Sequence, residues 1–184
     1  MSAPGSLFVR WRVRTGYPLA IICLWLAWRA HPTGTSILYG TIIGLIGLLV
    51  RALAAGYLHK NDQLATSGPY ARTRNPLYFG SAFLAAAFAV ASRSWIVALL
   101  LGAYFSVFYY AVMKKEEADL RGRFGSAFDE FERSVPLFWP RLGSTGSAGV
   151  EFSWPQYLRN REYRAAVGFA LLMAVFGAMS ILGR

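Results

Sequence analysis

The chain has 184 residues, 55% of them hydrophobic and 15% charged, with a formal net charge of +10 at neutral pH. A mean hydropathy of +0.38 excludes an ordinary water-soluble domain. Cys23 is its only cysteine, which excludes an intramolecular disulfide framework and a cysteine-cluster metal site.

Five apolar runs follow one another along the chain: Tyr17 to Ala30, Ile37 to Leu58, Leu77 to Ala91, Trp95 to Met113 and Ala165 to Leu182. A membrane-spanning helix needs about 20 mostly apolar residues. The second, fourth and fifth runs meet that length, the first reaches it with Val13 to Gly16 added, and the third stays short even from Pro76. The first run follows Arg10, Arg12 and Arg14 as a signal peptide would. It lacks a small-x-small cleavage site after it and is read as a membrane helix. The expectation is an all-α membrane protein of about five transmembrane helices with cytosolic interfacial helices.

The links His31 to Ser36 and Ser92 to Ser94 are short, so helices one and two, and three and four, are expected as antiparallel neighbours. With the N-terminus inside, fifteen Lys and Arg fall on the inner side against Arg29, Arg93 and Arg184 outside; Arg51 lies within a span. All nine acidic residues fall inside as well. The positive-inside rule then gives an N-in, C-out topology. The positive charge is a topology and lipid-surface signal, and no nucleic-acid partner is expected. His31 and His59 lack partners at ligand spacing, so no metal is expected. Gly40, Gly44 and Gly47 form a small-residue ridge on the second helix, expected to admit a close neighbour.

Between the second and third runs lies GPYARTRNPLYFG, Gly68 to Gly80. Gly68-Pro69 forces a turn. Asn75-Pro76 predicts a helix start with Asn as N-cap and Pro at the first helical position. The positive end of that helix beside Arg72 and Arg74 is a natural anion site; a plain loop-to-helix junction against lipid phosphates is the simpler alternative. Past the fourth run, Glu116 and Glu117 are suspects as acids close to an apolar span. Glu117 also sits at the spacing to pair with Arg121. Arg51 either snorkels or reaches an acid such as Glu116 or Glu117. Leu120, Phe124, Phe128 and Phe131 form a stripe expected on the membrane surface. Ser126 with Asp129 reads as a capping box opening a short helix that ends before Pro136. Residues 143–149 (GSTGSAG) read as a flexible linker. Glu151 to Arg164 reads as an interfacial segment carrying Trp154, Tyr157 and Tyr163.

GPYARTRNPLYFG, two membrane helices and then EEADLRGRFGSAFDEFERSVPLFWP together resemble the isoprenylcysteine carboxyl methyltransferase family and the related phospholipid methyltransferases, over about Leu64 to Pro140. The apolar runs are read as a single membrane-embedded domain over 1–184, with its last span at 165–182, and the resemblance makes 64–140 its motif-bearing methyltransferase core. The resemblance implies an integral multi-pass membrane enzyme that uses S-adenosylmethionine on the cytosolic side. Gly68, Tyr70, Arg74, Asn75, Pro76, Tyr78, Glu116 and Glu117 would bind the cofactor, with Arg74 and Glu117 as the catalytic pair. Asn75 stands where the family often has histidine; asparagine hydrogen-bonds but does not titrate, so it would orient. Tyr104, Phe105, Tyr109 and Tyr110 would stack adenine, guide a lipid chain, or simply pack. The acceptor would be hydrophobic or lipid-anchored, such as a prenylcysteine-like carboxylate. A phospholipid amine, for which Glu117 would be the base, and a small thiol are alternatives. A small transporter, or a scaffold with a degenerate site, is the non-enzyme alternative.

Overall fold

In the computed structural model, which describes residues 4–59, 63–143 and 151–182 and their side chains from residue 15 onward, the chain is carried by α-helices, with no strand among the described residues. They are α1 (Pro4–Arg29), α2 (Gly34–Tyr57), α3 (Pro76–Ser92), α4 (Trp95–Tyr104), α5 (Tyr110–Phe124), α6 (Ser126–Ser134), α7 (Trp154–Arg159) and α8 (Tyr163–Leu182). A π-helical turn, Phe105–Tyr109, joins α4 to α5, and a 3₁₀ turn, Gly68–Ala71, precedes α3. Except for Gly143, the linker expected at 143–149 lies outside the described residues.

Three helices are long and apolar enough to cross a bilayer: Gly34–Tyr57, the continuous Trp95–Phe124, and Tyr163–Leu182. Pro76–Ser92 is apolar but shorter, at 17 residues. The fourth apolar run was expected to end near Met113, yet its helix continues to Phe124. Lys114 to Arg123 are polar but are good helix formers, and nothing breaks the hydrogen-bond ladder until Gly125. Leu38, Leu45, Leu49, Leu99 and Leu171 are exposed, as fits helices that face lipid.

The chain divides into two units. The first comprises Met1–Leu45, Phe83–Glu116 and Phe169–Arg184. Its core is Ala27, Ala91 and Phe176, with Leu24, Ile37, Phe88 and Leu172 against them. Small residues set the helix spacing. A Cβ on Gly40 would meet the Ala87 carbonyl at 2.7 Å, and one on Gly44 would enter the Phe169 ring. The ridge expected on α2 is therefore a packing surface. Thr33 and Ser36 exchange side-chain-to-backbone hydrogen bonds (3.0 and 3.3 Å) that satisfy donors at the start of α2. Ser94 caps α4 by accepting from the Val97 amide at 3.3 Å. Around the π turn the aromatic side chains stack on each other, Tyr104 on Phe108 with centroids 4.8 Å apart and Phe105 on Tyr109 at 4.3 Å.

The second unit comprises Ile46–Ala82 and Glu117–Gly168. Its core is Phe128, Phe131 and Val135, with Leu64, Leu120 and Phe124 packed on them. This corrects the expectation that the Leu120 to Phe131 stripe lies on the membrane surface: Leu64 arrives opposite the stripe and buries it. The capping box is corrected as well. Gly125, at φ 52, is the N-cap of α6 and makes no side-chain bond, while Asp129 accepts from Arg121 Nε at 2.8 Å. The end before Pro136 is as expected, with Val135 already extended.

The last carbonyls of α2 find partners on the α7–α8 corner. Asn160 Nδ2 donates to the Ala55 and Leu58 carbonyls, each at 2.9 Å, and the Ser153 amide donates to Gly56 at 3.1 Å. The same corner supplies the partner of Arg51. Its Nη2 lies 2.7 Å from Glu162 Oε2, its Nε donates to the same oxygen at 3.0 Å, and its Nη1 donates to Ser81 Oγ at 2.5 Å. Arg51 therefore neither snorkels nor reaches Glu116 or Glu117. Gly80 makes room for it, since a Cβ there would meet Arg51 Cγ at 2.6 Å.

Arg51→Met leaves Glu162 without its partner. It should destabilise the purified protein by about 2 kcal/mol, less than the ~3–5 kcal/mol of a fully buried pair because both side chains keep partial exposure. Adding Glu162→Gln should recover part of that loss. Chemical denaturation of the three proteins checks this; a double variant no more stable than Arg51→Met would count against the pairing.

Candidate functional site

The segment leading into α3 is held by a second segment from further along the chain. The Arg141 amide donates to the Arg72 carbonyl at 3.0 Å, and the Arg74 amide donates to the Pro136 carbonyl at 2.9 Å. Thr73 Oγ1 donates to the Phe138 carbonyl at 2.9 Å, and Asn75 Nδ2 donates to the Leu137 carbonyl at 3.0 Å. The two sequence motifs, 62 to 69 residues apart along these bonds, thus form one layer. Pro136 and Pro140 have no amide hydrogen to donate, and the carbonyls of Pro136, Leu137 and Phe138 accept from the α3 entry.

The helix start expected at Asn75-Pro76 is present. The Asn75 carbonyl accepts from the Phe79 amide at 3.0 Å, and α3 begins at Pro76. Gly68 takes φ 57, and a Cβ there would meet the Tyr57 ring at 2.8 Å, so both conformation and space require glycine. Tyr70 is buried in the 3₁₀ turn and Tyr78 is half-buried on the first turn of α3.

Arg74 is the centre of the charges. Its side chain is 9% exposed, and Nη1 lies 2.5 Å from Glu117 Oε1 and 2.8 Å from Glu132 Oε1. Glu132 also contacts Arg121 Nη2, and Arg121 holds Asp129. The spacing of Glu117 to Arg121 does not produce that pair; both prefer these longer-range partners, Glu117 being 3% exposed beside Arg74. The buried Nε–H of Arg74 has no acceptor among the described residues. Glu116 lies one residue away but on an exposed face of α5, so the neighbouring acids have different surroundings.

Glu132 was not singled out in the sequence. Its signal was its register: it stands four residues after Phe128 and three before Val135, so an acid interrupts the stripe that α6 buries. Its contact with Arg74 is the main influence holding its carboxyl below the usual glutamate range, against the opposing effect of burial, and Arg121 adds to the lowering.

On the other side of the α3 entry lies a cleft of about 620 Å³, within the size range of small-molecule sites. Val50, Leu53 and Tyr57 of α2 form one wall; Gly68, Pro69, Ala71 to Thr73, Pro76, Phe79 and Pro140 form the rest. Of the expected site residues, Gly68 and Pro76 face this cleft, whereas Tyr70, Arg74, Asn75, Tyr78 and Glu117 do not line it.

The family model described as phospholipid methyltransferase matches residues 34–127. Among curated proteins, the chain is similar to the cobalt-zinc-cadmium resistance protein CzcN of Cupriavidus metallidurans, at 33% identity over 106 residues. It is also similar to the nickel-cobalt-cadmium resistance protein NccN of Alcaligenes xylosoxydans xylosoxydans, at 31% over 106 residues. Each match covers 54% of this chain and 49% of the relative, so the chain spans about half the length of the curated relatives it matches. No solved structure matches.

The lowered Glu132 carboxyl has a pH consequence. A depressed folded pKa stabilises the fold above the unfolded value, about 4.3 for glutamate, and that stability is lost as pH falls through the folded value. The expected outcome is that acidification below about pH 4.3 lowers the melting temperature of the wild type more than that of Glu132→Gln. Melting curves of both proteins across that range check this, and parallel curves would sink the assignment.

Proposed function

We propose, from the premise that this chain belongs to the phospholipid methyltransferase family, that it transfers a methyl group from S-adenosylmethionine to a hydrophobic or lipid-anchored acceptor. One observation carries the cofactor reading. Arg74 is buried at the entry of α3, paired with the buried Glu117, and still has an Nε–H without an acceptor among the described residues. A carboxylate is the group such a donor takes, and the start of α3 adds its own positive dipole. S-adenosylmethionine supplies a methyl group activated on a sulfonium, together with a carboxylate and an ammonium. These residues fit that set.

Each residue then has a task of its own. Arg74 binds the carboxylate through Nε while Glu117 holds its Nη1 in place. Glu117 also presents negative charge to the ammonium or sulfonium. Asn75, whose Nδ2 is committed to the Leu137 carbonyl, orients the helix entry and transfers no proton. Tyr70 and Tyr78 flank the turn, and Gly68 and Pro76 shape its face toward the cleft. Glu116, being exposed, closes the site only at its edge. Close positioning and exclusion of water are the main demands of methyl transfer, and a layer fastened by hydrogen bonds serves both.

The protein is an integral membrane protein on the strength of its apolar helices and its family. The finer topology belongs to the proposal: five spans in a single domain, N-in and C-out, with the site facing the cytosol. The excess of Lys and Arg on one side supports it, as does the 26-residue length of α1.

Titration calorimetry of the detergent-purified chain with S-adenosylmethionine should give saturable binding. Arg74→Gln and Glu117→Gln should each weaken it by at least about tenfold, the worth of one charge-assisted hydrogen bond. Unchanged affinity in both variants, or no binding by folded wild type, would remove the cofactor reading.

A further inference from the structure

The cleft beside the α3 entry has a charge character that separates the possible acceptors. Its walls are apolar apart from Arg72, Thr73 and the hydroxyl of Tyr57. Thr73 Oγ1 is committed to the Phe138 carbonyl. The Arg72 guanidinium is exposed and has no hydrogen bond or ion pair among the described residues. Its backbone is fixed at both ends, the amide donating to the Pro69 carbonyl at 3.1 Å and the carbonyl accepting from Arg141 at 3.0 Å. A cation on a fixed stem, with no acidic side chain among the lining residues, is complementary to an anion. An ammonium placed there would meet only like charge.

The apolar wall continues beyond the cleft. Ile46, Leu49, Leu53 and Tyr57 recur at helical spacing on α2, and Ile46, Leu49 and Leu53 are exposed. The face they form belongs to a helix long and apolar enough to cross a bilayer. An alkyl chain lying along this face brings its polar end to Arg72.

We propose that the cleft is the acceptor's subsite and that Arg72 selects an amphiphile with an anionic head group, either carboxylate or phosphate. The proposal rests on the methyl-transfer reading and narrows it: a simple lipid amine lacks the group that this cleft recognises. Arg72 acts as a specificity determinant through its guanidinium, which pairs with either anion in two-pronged fashion.

Native mass spectrometry of the full chain in neutral detergent tests it, with oleate, dioleoyl phosphatidylglycerol and dioleoyl phosphatidylcholine as probes. Wild type should retain at least one anionic probe about tenfold better than phosphatidylcholine. Enrichment of oleate alone assigns a carboxylate, of phosphatidylglycerol alone a phosphate diester whose charge no ammonium offsets, and of both the net negative charge itself. Arg72→Gln should reduce the preference to parity, Arg72→Lys should restore part of it, and Leu53→Trp, which fills the cleft, should weaken all retained probes. Equal retention of phosphatidylcholine by wild type, or a preference that survives Arg72→Gln, overturns the proposal. S-adenosylmethionine titration of the same samples separates the two readings. Lipid preference without cofactor binding sinks methyl transfer, whereas cofactor binding without lipid preference sinks the anionic subsite.

Discussion

A buried guanidinium must be neutralised where it lies, and Arg74 imposes that requirement on the second unit. Its partners are Glu117 on α5 and Glu132 on α6, so the charge is satisfied only when both helices are in place around the α3 entry. Glu132 in turn engages Arg121, and Arg121 engages Asp129, which holds the short α6 to the end of α5. Removing a buried charge from water costs several kcal/mol per ion. The hydrogen bonds between the α3 entry and residues 136–141 complete the offset. Fold and site are therefore one arrangement, since the contacts that keep this layer intact also fix the proposed binding atoms.

The apolar framework was the most legible part of the sequence because helical length and composition speak directly to bilayer thickness. The α3 start was equally legible, since Asn75 and Pro76 act locally on their own backbone. Long-range partners were not. Nothing in the neighbourhood of Arg51 indicates Glu162, which approaches because the α7–α8 corner is bonded to the end of α2 through Asn160. The Leu120 to Phe131 stripe was correctly periodic but wrongly placed: periodicity states that a face is apolar, and only the position of Leu64 decides that protein covers it.

The site shows the same division. Arg74 and Glu117 stood out as charges beside apolar runs, and the structure brings them within 2.5 Å. Glu132 was passed over because α6 carries Asp129, Glu130, Glu132 and Arg133 close together, and such a cluster reads as a solvated face. The cleft was invisible in principle. Its walls come from α2, the 3₁₀ turn, α3 and Pro140, and no local pattern encodes the space between them.

The distance along the chain between Arg51 and its partner also bears on biogenesis. Glu162 follows Arg51 by 111 residues, so at about 5–20 residues per second the ribosome delivers the counter-charge roughly 6–20 s after the arginine. During that interval the helix bearing Arg51 has Ser81 and the Leu77 carbonyl within reach, both made about 30 residues after it. The neutral acceptors of the Arg51 guanidinium are thus synthesised well before its counter-charge, and the ion pair needs the α7–α8 corner as well as α2 and α3.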